Sequence, residues 1–347
     1  MRVIPEVPLG VVQKHRLSRR GACSISIMSS DPTPQTPQSR RRFLQLSATV
    51  PAALAAQSLL PGGLAATARA TDVPAALPAP IKHPIGIELY GVRGELTKDL
   101  PNTLRTVARI GYEVVEFYSP YFGWTFPFAK DVRAQIDDLG LRCFSTHNGF
   151  ESLMPGETMA KAVELNQILG ARHIIMGSAP RTTRSADDWK RLCEHLTTAV
   201  EELRPHGLFA GFHNHHVEWL PLEGGPRVMD IIAANTPKEF VLQFDVGTCL
   251  EAGADPIAWI NANPGRIKSL HLKDWAPGDK ADEKGYRVLF GEGVAPWQDI
   301  IAAAEFAGGV EFYLMEQEGS RFSEFETAER CLAAWKRLRA GSPGSGA

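Results

Sequence analysis

The chain has 347 residues, with 37 Lys and Arg against 39 Asp and Glu and a formal net charge of −2. Residues 1–70 hold nine of the basic and two of the acidic residues, which leaves 28 basic and 37 acidic residues, a net charge of −9, in the remainder. Nucleic-acid binding depends on clustered Lys and Arg, so this acidic balance argues against a nucleic-acid partner. No segment after residue 70 has the length and apolar character of a membrane span.

Residues 1–70 have the features of an export signal. Ser39–Gln45, with its consecutive arginines, is typical of a twin-arginine signal, and the apolar stretch Phe43–Leu64 follows it. Ala68–Ala70 supplies the small residues that a signal peptidase reads. We therefore expect cleavage after Ala70, export by the twin-arginine machinery, a periplasmic or secreted product and no membrane attachment after cleavage.

A helix or a membrane anchor is the alternative interpretation of this segment. Pro51, Pro61 and the pair Gly62-Gly63 interrupt its apolar run, which argues against a stable span. The stretch before Ser39 is long for such a signal, and Met28 is an alternative start. Residues 1–70 are left out of the fold prediction, and residues 71–83 are treated as a linker.

Four cysteines follow the expected signal, and none belongs to a Cys-x-x-Cys pair. Neither a thiolate zinc site nor a redox motif is therefore indicated. An oxidising periplasm would permit a disulfide between two of them. The four are Cys143, Cys193, Cys249 and Cys331.

From Pro84 onward, eight short β-rich runs alternate with amphipathic helical stretches. The predicted strands are Ile85–Tyr90, Glu113–Tyr118, Leu141–His147, His173–Gly177, Leu208–His215, Val241–Val246, Lys268–Lys273 and Phe312–Gln317. The predicted helices are Leu100–Ile110, Ala129–Leu139, Thr158–Leu169, Ala186–Leu203, Val228–Ala234, Pro256–Asn261, Pro296–Phe306 and Phe325–Leu338. Strands separated by helices pair in parallel, and eight such units predict a (β/α)₈ TIM barrel over residues 84–340, with a tail at 341–347. An open doubly wound sheet would need a glycine-rich loop after the first strand, and Ile85–Arg93 offers none.

Ionisable side chains lie at the ends of seven of the eight predicted strands. They are Glu88, Glu116, His147, His213, His215, Asp245, His271, Lys273 and Glu316. Any one of them is more often a structural group than a ligand, but the carboxyl ends of barrel strands meet at one mouth. Ionisable groups are rarely buried there unless they are paired or bind a metal. Mixed His and carboxylate donors favour Mn²⁺, Zn²⁺, Co²⁺ or Fe²⁺, with Mg²⁺ less favoured and Ca²⁺ disfavoured.

These strand ends resemble those of the sugar phosphate isomerase/epimerase family, the xylose-isomerase-like barrels. The resemblance runs from about Ile85 to Trp335. It rests on Ile87–Arg93, Gly111–Phe117, Phe212–His215, Phe244–Gly247, Leu270–Asp274 and Met315–Gln317. It implies one divalent metal held by Asp245 on the sixth strand, His271 on the seventh and Glu316 on the eighth.

The fifth strand departs from the family pattern. Many members carry a glutamate where this chain has His213, the first residue of the stretch His213–His215. By position His213 is the fourth ligand, and His215 takes its place if the register is off by two. His216 is expected to lie outside the site. The departure removes one of the two carboxylates that exchange protons in the family's epimerases.

The resemblance implies a metal-dependent isomerase or epimerase that acts on a keto-sugar or related polyol through an enediolate. Glu316, or unligated Glu218 or His215, would take the α-proton, and Lys273 would face the developing oxyanion. The alternative for Lys273 is an ion pair with Asp274 or Glu292. The residues expected to line the pocket are Glu88, Tyr90, Glu116, His147 and Trp219.

Other features and functions stay open at this point. Trp124, Phe126, Trp219 and Trp275 could pack on a sugar ring or belong to the core, and Gly291–Gly293 could be a lid loop or a plain turn. A lyase or dehydratase on a keto-sugar or cyclic polyol is the runner-up, which His213 favours modestly. A non-catalytic sugar-binding protein is a third reading, and a metal nuclease a fourth that the charge of −9 disfavours. The expected partner is a small-molecule sugar, and homo-oligomers are compatible with this reading.

Overall fold

The structure, a computed structural model, describes residues 83–341. The predicted export signal, nearly all of the predicted linker and residues 342–347 lie outside these residues. Within them no helix is long and apolar enough to cross a membrane. Cys143, Cys193, Cys249 and Cys331 are all buried free thiols.

Eight short parallel strands form the centre of the fold. They are β1 Ile85–Glu88, β2 Val114–Glu116, β3 Ser145–Asn148, β4 His173–Met176, β5 Phe209–His213, β6 Val241–Asp245, β7 Ser269–Leu272 and β8 Phe312–Met315. Their order is β2-β1-β8-β7-β6-β5-β4-β3. Isolated parallel bridges, Val114 with Arg142 and Phe117 with Thr146, link β2 to β3. The strands therefore form a nearly closed (β/α)₈ TIM barrel, as predicted.

Helices surround the barrel. They are α1 Arg93–Lys98, α2 Leu100–Ile110, α3 Phe126–Asp138, α4 Glu157–Leu169, α5 Ala186–Leu203, α6 Val228–Asn235, α7 Val246–Glu251, α8 Pro256–Ala262, α9 Trp297–Ala303 and α10 Glu324–Ala340. Side chains of Asp99, Thr125 and Ser185 accept backbone N–H bonds at the starts of α2, α3 and α5. These caps satisfy donors that the first helical turn leaves free.

The core lies both inside the barrel and between its strands and the helices. Leu104 and Val107 of α2, like Leu196 and Leu203 of α5, are almost completely buried. Strand packing is close at Gly86 in β1, where a Cβ atom would lie 2.6 Å from the carbonyl oxygen of Val114. Only glycine fits that contact without moving β2.

Several strands end earlier than predicted. β1 ends at Glu88 rather than Tyr90, β2 at Glu116 rather than Tyr118, and β5 at His213 rather than His215. Short 3-10 turns occupy the chain just after these strands, at Leu89–Val92, Ser119–Gly123 and His216–Trp219. The chain bends away from the sheet there, and the last strand residue is left facing the mouth.

Candidate active site at the carboxyl mouth of the barrel

Three imidazoles from three different strands pack together at the mouth. His213 of β5 has its ring centroid 4.5 Å from that of His147 of β3 and 4.4 Å from that of His271 of β7. The rings of His147 and His271 are stacked, 5.1 Å apart. The site is therefore assembled from residues far apart in the sequence, each placed by the end of its own strand.

His271 lies between two carboxylates. Its Nε2 is 2.9 Å from Glu116 Oε2 and its Nδ1 is 2.7 Å from Glu316 Oε2. Burial alone lowers the pKa of His271, but the two carboxylates outweigh burial and raise that pKa to about 10. Burial would raise the pKa of Glu116, yet His147 and His271 hold it at about 2. Between these carboxylates His271 is therefore an imidazolium, and it would have to lose a proton before it could bind a metal.

His147 hydrogen-bonds to an amide, and the carboxylate of Glu116 lies farther from the same ring nitrogen, at 3.4 Å. Its Nε2 is 2.6 Å from Gln243 Oε1. The amide nitrogen of Gln243 donates to Glu116 Oε1 at 2.9 Å and to Ser269 Oγ at 3.0 Å, which leaves its oxygen to accept from His147. Burial lowers the pKa of His147. Neutral His147 therefore carries its proton on Nε2 and a lone pair on Nδ1.

Lys273 is buried among three carboxylates. Its Nζ lies 2.8 Å from Asp245 Oδ2, 3.1 Å from Glu316 Oε1 and 2.6 Å from Glu318 Oε1. Burial lowers the pKa of Lys273, but these carboxylates raise it well above its usual value, so the side chain is an ammonium. The alternative that paired Lys273 with Asp274 or Glu292 is wrong, because those two carboxylates bind other groups, which are described next.

Asp274, next to Lys273, fixes the glycine-rich segment. Its carboxylate accepts from the backbone N–H groups of Gly291 and Gly293, at 2.8 and 3.1 Å, and from the indole N–H of Trp297 at 2.9 Å. Arg321 contacts both carboxylate oxygens of Glu292, at 2.6 and 2.9 Å. Gly291–Gly293 is thus a turn held by Asp274, which agrees with the interpretation as a plain turn and not as a lid loop.

The donor set fits a divalent metal. Within residues 83–341, nine buried side-chain nitrogen or oxygen atoms lack a hydrogen-bond partner, and five belong to this cluster. These five are Glu88 Oε2, Glu116 Oε2, His213 Nδ1, Asp245 Oδ2 and His271 Nε2. Ligand atoms of His213, Asp245 and Glu316 lie within 4.8 Å of one another, and His271 contacts Glu316. Buried unpartnered donors are costly, and a cation would satisfy them.

The other predicted site residues have different surroundings. Glu88 is buried, with Oε1 3.7 Å from His147 Nδ1, and burial raises its pKa well above the usual value. Tyr90 packs edge-on against Tyr118 and beneath the guanidinium of Arg93. Glu88 therefore belongs to the cluster, whereas Tyr90 stands at its edge.

Three residues after β5 do not join the cluster in the way that was expected. Trp219 is 2% exposed and packs on Phe244 and Trp259, so it lies in the core. Glu218 Oε2 accepts the backbone N–H of His215 at 2.8 Å, and burial raises its pKa to about 6. His215 is exposed, with its ring 5.0 Å from that of His213.

Sequence reasoning missed four polar residues that hold the site. Gln243, Ser269 and Glu318 make the contacts above, and Ser145 Oγ donates to Glu116 Oε1. Ser145, Gln243 and Ser269 each lie two residues before a site residue on their strand, and Glu318 lies two residues after Glu316. Strand side chains two apart share a face, so this period was the signal available.

A family model described as a xylose isomerase-like TIM barrel matches residues 104–337, more than half of the chain. The chain belongs to the xylose isomerase-like TIM barrel family. A solved sugar phosphate isomerase/epimerase from Parabacteroides distasonis ATCC 8503 is 25% identical, with a TM-score of 0.63 and coverage of 76% of this chain and 96% of that one. A D-psicose 3-epimerase structure is 14% identical, with a TM-score of 0.54 over 75% of this chain and 100% of that one, which shows the fold alone.

The curated relatives matched are inosose dehydratases. One from Lacticaseibacillus casei is 24% identical over 157 residues, which cover 41% of this chain and 52% of the relative. The chain thus spans about half the length of the curated relatives that it matches. Proteins named as an isomerase/epimerase, an epimerase and a dehydratase are therefore among those to which this chain is similar in fold or in part of its sequence.

Proposed function

We propose that this protein is a divalent-metal-dependent isomerase or epimerase that acts on a keto-sugar or related polyol by removing a proton next to a carbonyl group. The observation that supports this most is that His213, Asp245 and Glu316 offer ligand atoms within 4.8 Å of one another. His271 contacts Glu316, and His213, Asp245 and His271 each carry a buried polar atom without a hydrogen-bond partner. These four residues would hold the metal. When bound, a divalent metal supplies a Lewis acid that polarises a carbonyl oxygen.

The protonation states of the side chains around this site determine which of them can accept a proton and which can donate one. His147 offers a neutral Nδ1 lone pair as proton acceptor, because Gln243 fixes the other nitrogen as a donor. Burial raises the pKa of Glu88 well above its usual value, so its protonated form could donate a hydrogen bond to a substrate oxygen. Lys273 supplies a permanent positive charge close to the same point. Glu218 instead caps the turn after β5, so we assign it no proton transfer.

The test is proton exchange in D₂O, followed by NMR. Metal-loaded protein is incubated with free and keto-sugars, and we expect deuterium next to the carbonyl with formation of an epimer or an aldose/ketose isomer. His147→Gln should abolish this exchange while the fold is kept. His206→Gln, at an exposed position, is the matched control and should behave like the wild type. Binding of sugars by the wild type without any exchange would contradict the proposal and leave a sugar-binding protein.

A second candidate is a lyase or dehydratase on a keto-sugar or cyclic polyol. Its support is the replacement of the fifth-strand carboxylate by His213, together with the partial match to inosose dehydratases. One carboxylate fewer leaves fewer groups for two-sided proton exchange, whereas elimination needs one base and one acid. The same NMR assay separates the two, because elimination yields an unsaturated product and isomerisation conserves the substrate's composition.

We also propose that residues 1–70 direct export by the twin-arginine route to the periplasm. The proposal rests on Ser39–Gln45 and the apolar stretch after it. Cell fractionation of the full chain should find the processed protein outside the cytoplasm, and the double substitution Arg40→Lys and Arg41→Lys should retain it inside. Export that is unaffected by this double substitution would contradict the proposal.

A further inference from the structure

Lys273 stands where a divalent cation would have to bind. Its ammonium lies 2.8 Å from Asp245 Oδ2 and 3.1 Å from Glu316 Oε1, and both carboxylates belong to the proposed ligand set. The contact with Asp245 is close in distance, yet Asp245 Oδ2 has no partner in hydrogen-bond geometry. The ammonium thus neutralises these ligands by charge, without fully satisfying them.

An ammonium and a divalent ion cannot share these oxygens. Two like charges held a few ångströms apart in a buried site repel strongly, because little solvent screens them. Metal binding to Asp245 and Glu316 therefore requires the Lys273 ammonium to leave both. Its side chain is 1% exposed, so after leaving them it must keep another anionic partner.

Glu318 is placed to be that partner. Glu318 Oε1 accepts a hydrogen bond from Lys273 Nζ at 2.6 Å, and its side chain is 37% exposed, so an ammonium drawn toward it also gains water. The ring of Tyr286 lies 5.6 Å from the same ammonium. Arg93 holds the backbone carbonyl of Glu318 at 3.3 Å and so fixes where this carboxylate stands.

We propose that Lys273 is a displaceable counter-ion of the metal site and that Glu318 receives it when a divalent ion binds. Metal affinity is then set by residues outside the ligand set: Lys273 lowers it by competing for Asp245 and Glu316, and Glu318 raises it by holding Lys273 away. In the displaced position the ammonium keeps its contact with Glu318. This inference rests on the proposed metal-dependent function.

The experiment titrates Mn²⁺ alone into chelator-treated full-length protein by calorimetry and records the melting temperature of each metal-free variant. We expect Lys273→Met to bind Mn²⁺ about tenfold more tightly and to melt at a lower temperature when metal-free, since Asp245 and Glu316 lose their counter-charge. We expect Glu318→Gln to bind Mn²⁺ about tenfold more weakly, by loss of a charge-assisted hydrogen bond. Lys268→Met, near the amino end of β7, makes the same charge change and should leave the affinity unaltered.

The double variant distinguishes this mechanism from a general charge effect. If Glu318 acts through Lys273, Glu318→Gln changes the affinity of the Lys273→Met protein by less than about threefold. If Glu318→Gln weakens Mn²⁺ binding equally in the wild type and in Lys273→Met, the inference is overturned. Wild-type Mn²⁺ affinity in the single variant Glu318→Gln overturns it as well. That measurement can be made even if Lys273→Met does not fold. Failure of the wild type to bind Mn²⁺ would instead sink the proposed metal dependence, and this inference with it.

Discussion

The imidazoles of His147 and His271 are stacked with their planes 4° apart and their centroids 5.1 Å apart, yet they differ in charge. His271 is a cation, whereas His147 is neutral. His271, between Glu116 and Glu316, has a pKa raised to about 10, whereas burial lowers the pKa of His147. Two parallel rings that shared one charge state would either repel or leave both carboxylates uncompensated. The difference arises because burial and the charge of His271 lower the pKa of His147 by more than Glu116, 3.4 Å from its Nε2, raises it.

Gln243→Leu tests the assignment of His147. Loss of the amide leaves the Nε2 proton of His147 without its acceptor and removes a donor from Glu116, so both tautomers of His147 become populated. We expect kcat/KM to fall roughly 10- to 100-fold, less than the ~10²- to 10⁴-fold that a general base itself contributes, with Mn²⁺ affinity within about threefold of the wild type. Gln135→Leu, on the surface of α3, is the control. An unchanged kcat/KM would rule His147 out as the base.

Asp245→Asn tests the metal assignment. Replacing the central carboxylate by an amide should remove stoichiometric Mn²⁺ binding and lower activity by roughly a thousandfold, consistent with the several kcal/mol that a Lewis acid supplies. Treatment of the wild type with a chelator should have the same effect on activity, reversed by added metal. Asp230→Asn, which alters an exposed ion pair with Arg227, should change neither measurement. Metal content by elemental analysis that matches the wild type would contradict the assignment.

His173, which lies away from the candidate site, should make the stability of the protein depend on pH. It is buried at the start of β4, stacked on Phe312, and burial lowers its pKa to about 4. The unfolded chain binds this proton near pH 6.5, so between pH 6.5 and 4 the unfolded state holds more protons and stability falls as pH falls. The full loss is about 3 kcal/mol.

His173→Phe should remove that loss. The variant keeps the aromatic stack and deletes the unpartnered Nδ1, so we expect wild-type stability or better at pH 7 and a smaller decrease than the wild type at pH 5. Urea unfolding at the two pH values measures it, with His206→Gln as the control. Parallel loss of stability in the wild type and His173→Phe would show that His173 does not titrate in this way.

Asp274→Asn should loosen the mouth without touching the proposed ligands. The new amide would point donors at the N–H groups of Gly291 and Gly293, or at the indole of Trp297, and leave at least one unpaired. We expect a loss of about 2–4 kcal/mol in the free energy of unfolding. Glu292→Gln weakens the half-exposed contact with Arg321, while its amide oxygen can still accept the backbone N–H of Leu289, so it should cost less than about 1 kcal/mol. Equal costs for the two would refute the role given to Asp274.

The alternation of apolar runs with helix patterns was enough to predict the eight strands and their order in the chain. It also predicted that the polar strand ends would lie together, since parallel strands of a barrel bring their carboxyl ends to one side. The choice of Asp245, His271 and Glu316 as metal ligands came from the family resemblance and stays a prediction. Strand ends were less predictable: the turns after Glu88, Glu116 and His213 contain apolar and aromatic residues that strands also favour. Only contacts made by the folded chain decide where pairing stops.

Side-chain partners were the least predictable part. The ion-pair partners considered for Lys273 from the sequence were Asp274 and Glu292. Its three carboxylate partners in the structure come instead from β6 and from the segment after β8. Trp219 follows the fifth strand as a pocket residue would, but its indole turns inward against Phe244 and Trp259. Rotamers of this kind depend on packing across elements, which a single sequence does not display.

The joint between β2 and β3 has a consequence for how the barrel can vary. Isolated bridges replace a continuous ladder there, and polar side chains complete the link: Ser145 of β3 donates to Glu116 of β2, and Tyr121, after β2, lies 3.1 Å from Thr146 Oγ1. The carboxylate of Glu116 therefore connects β2 to β3 and also balances the charge of His271. A substitution at Glu116 therefore changes both the charge of the site and the connection between β2 and β3.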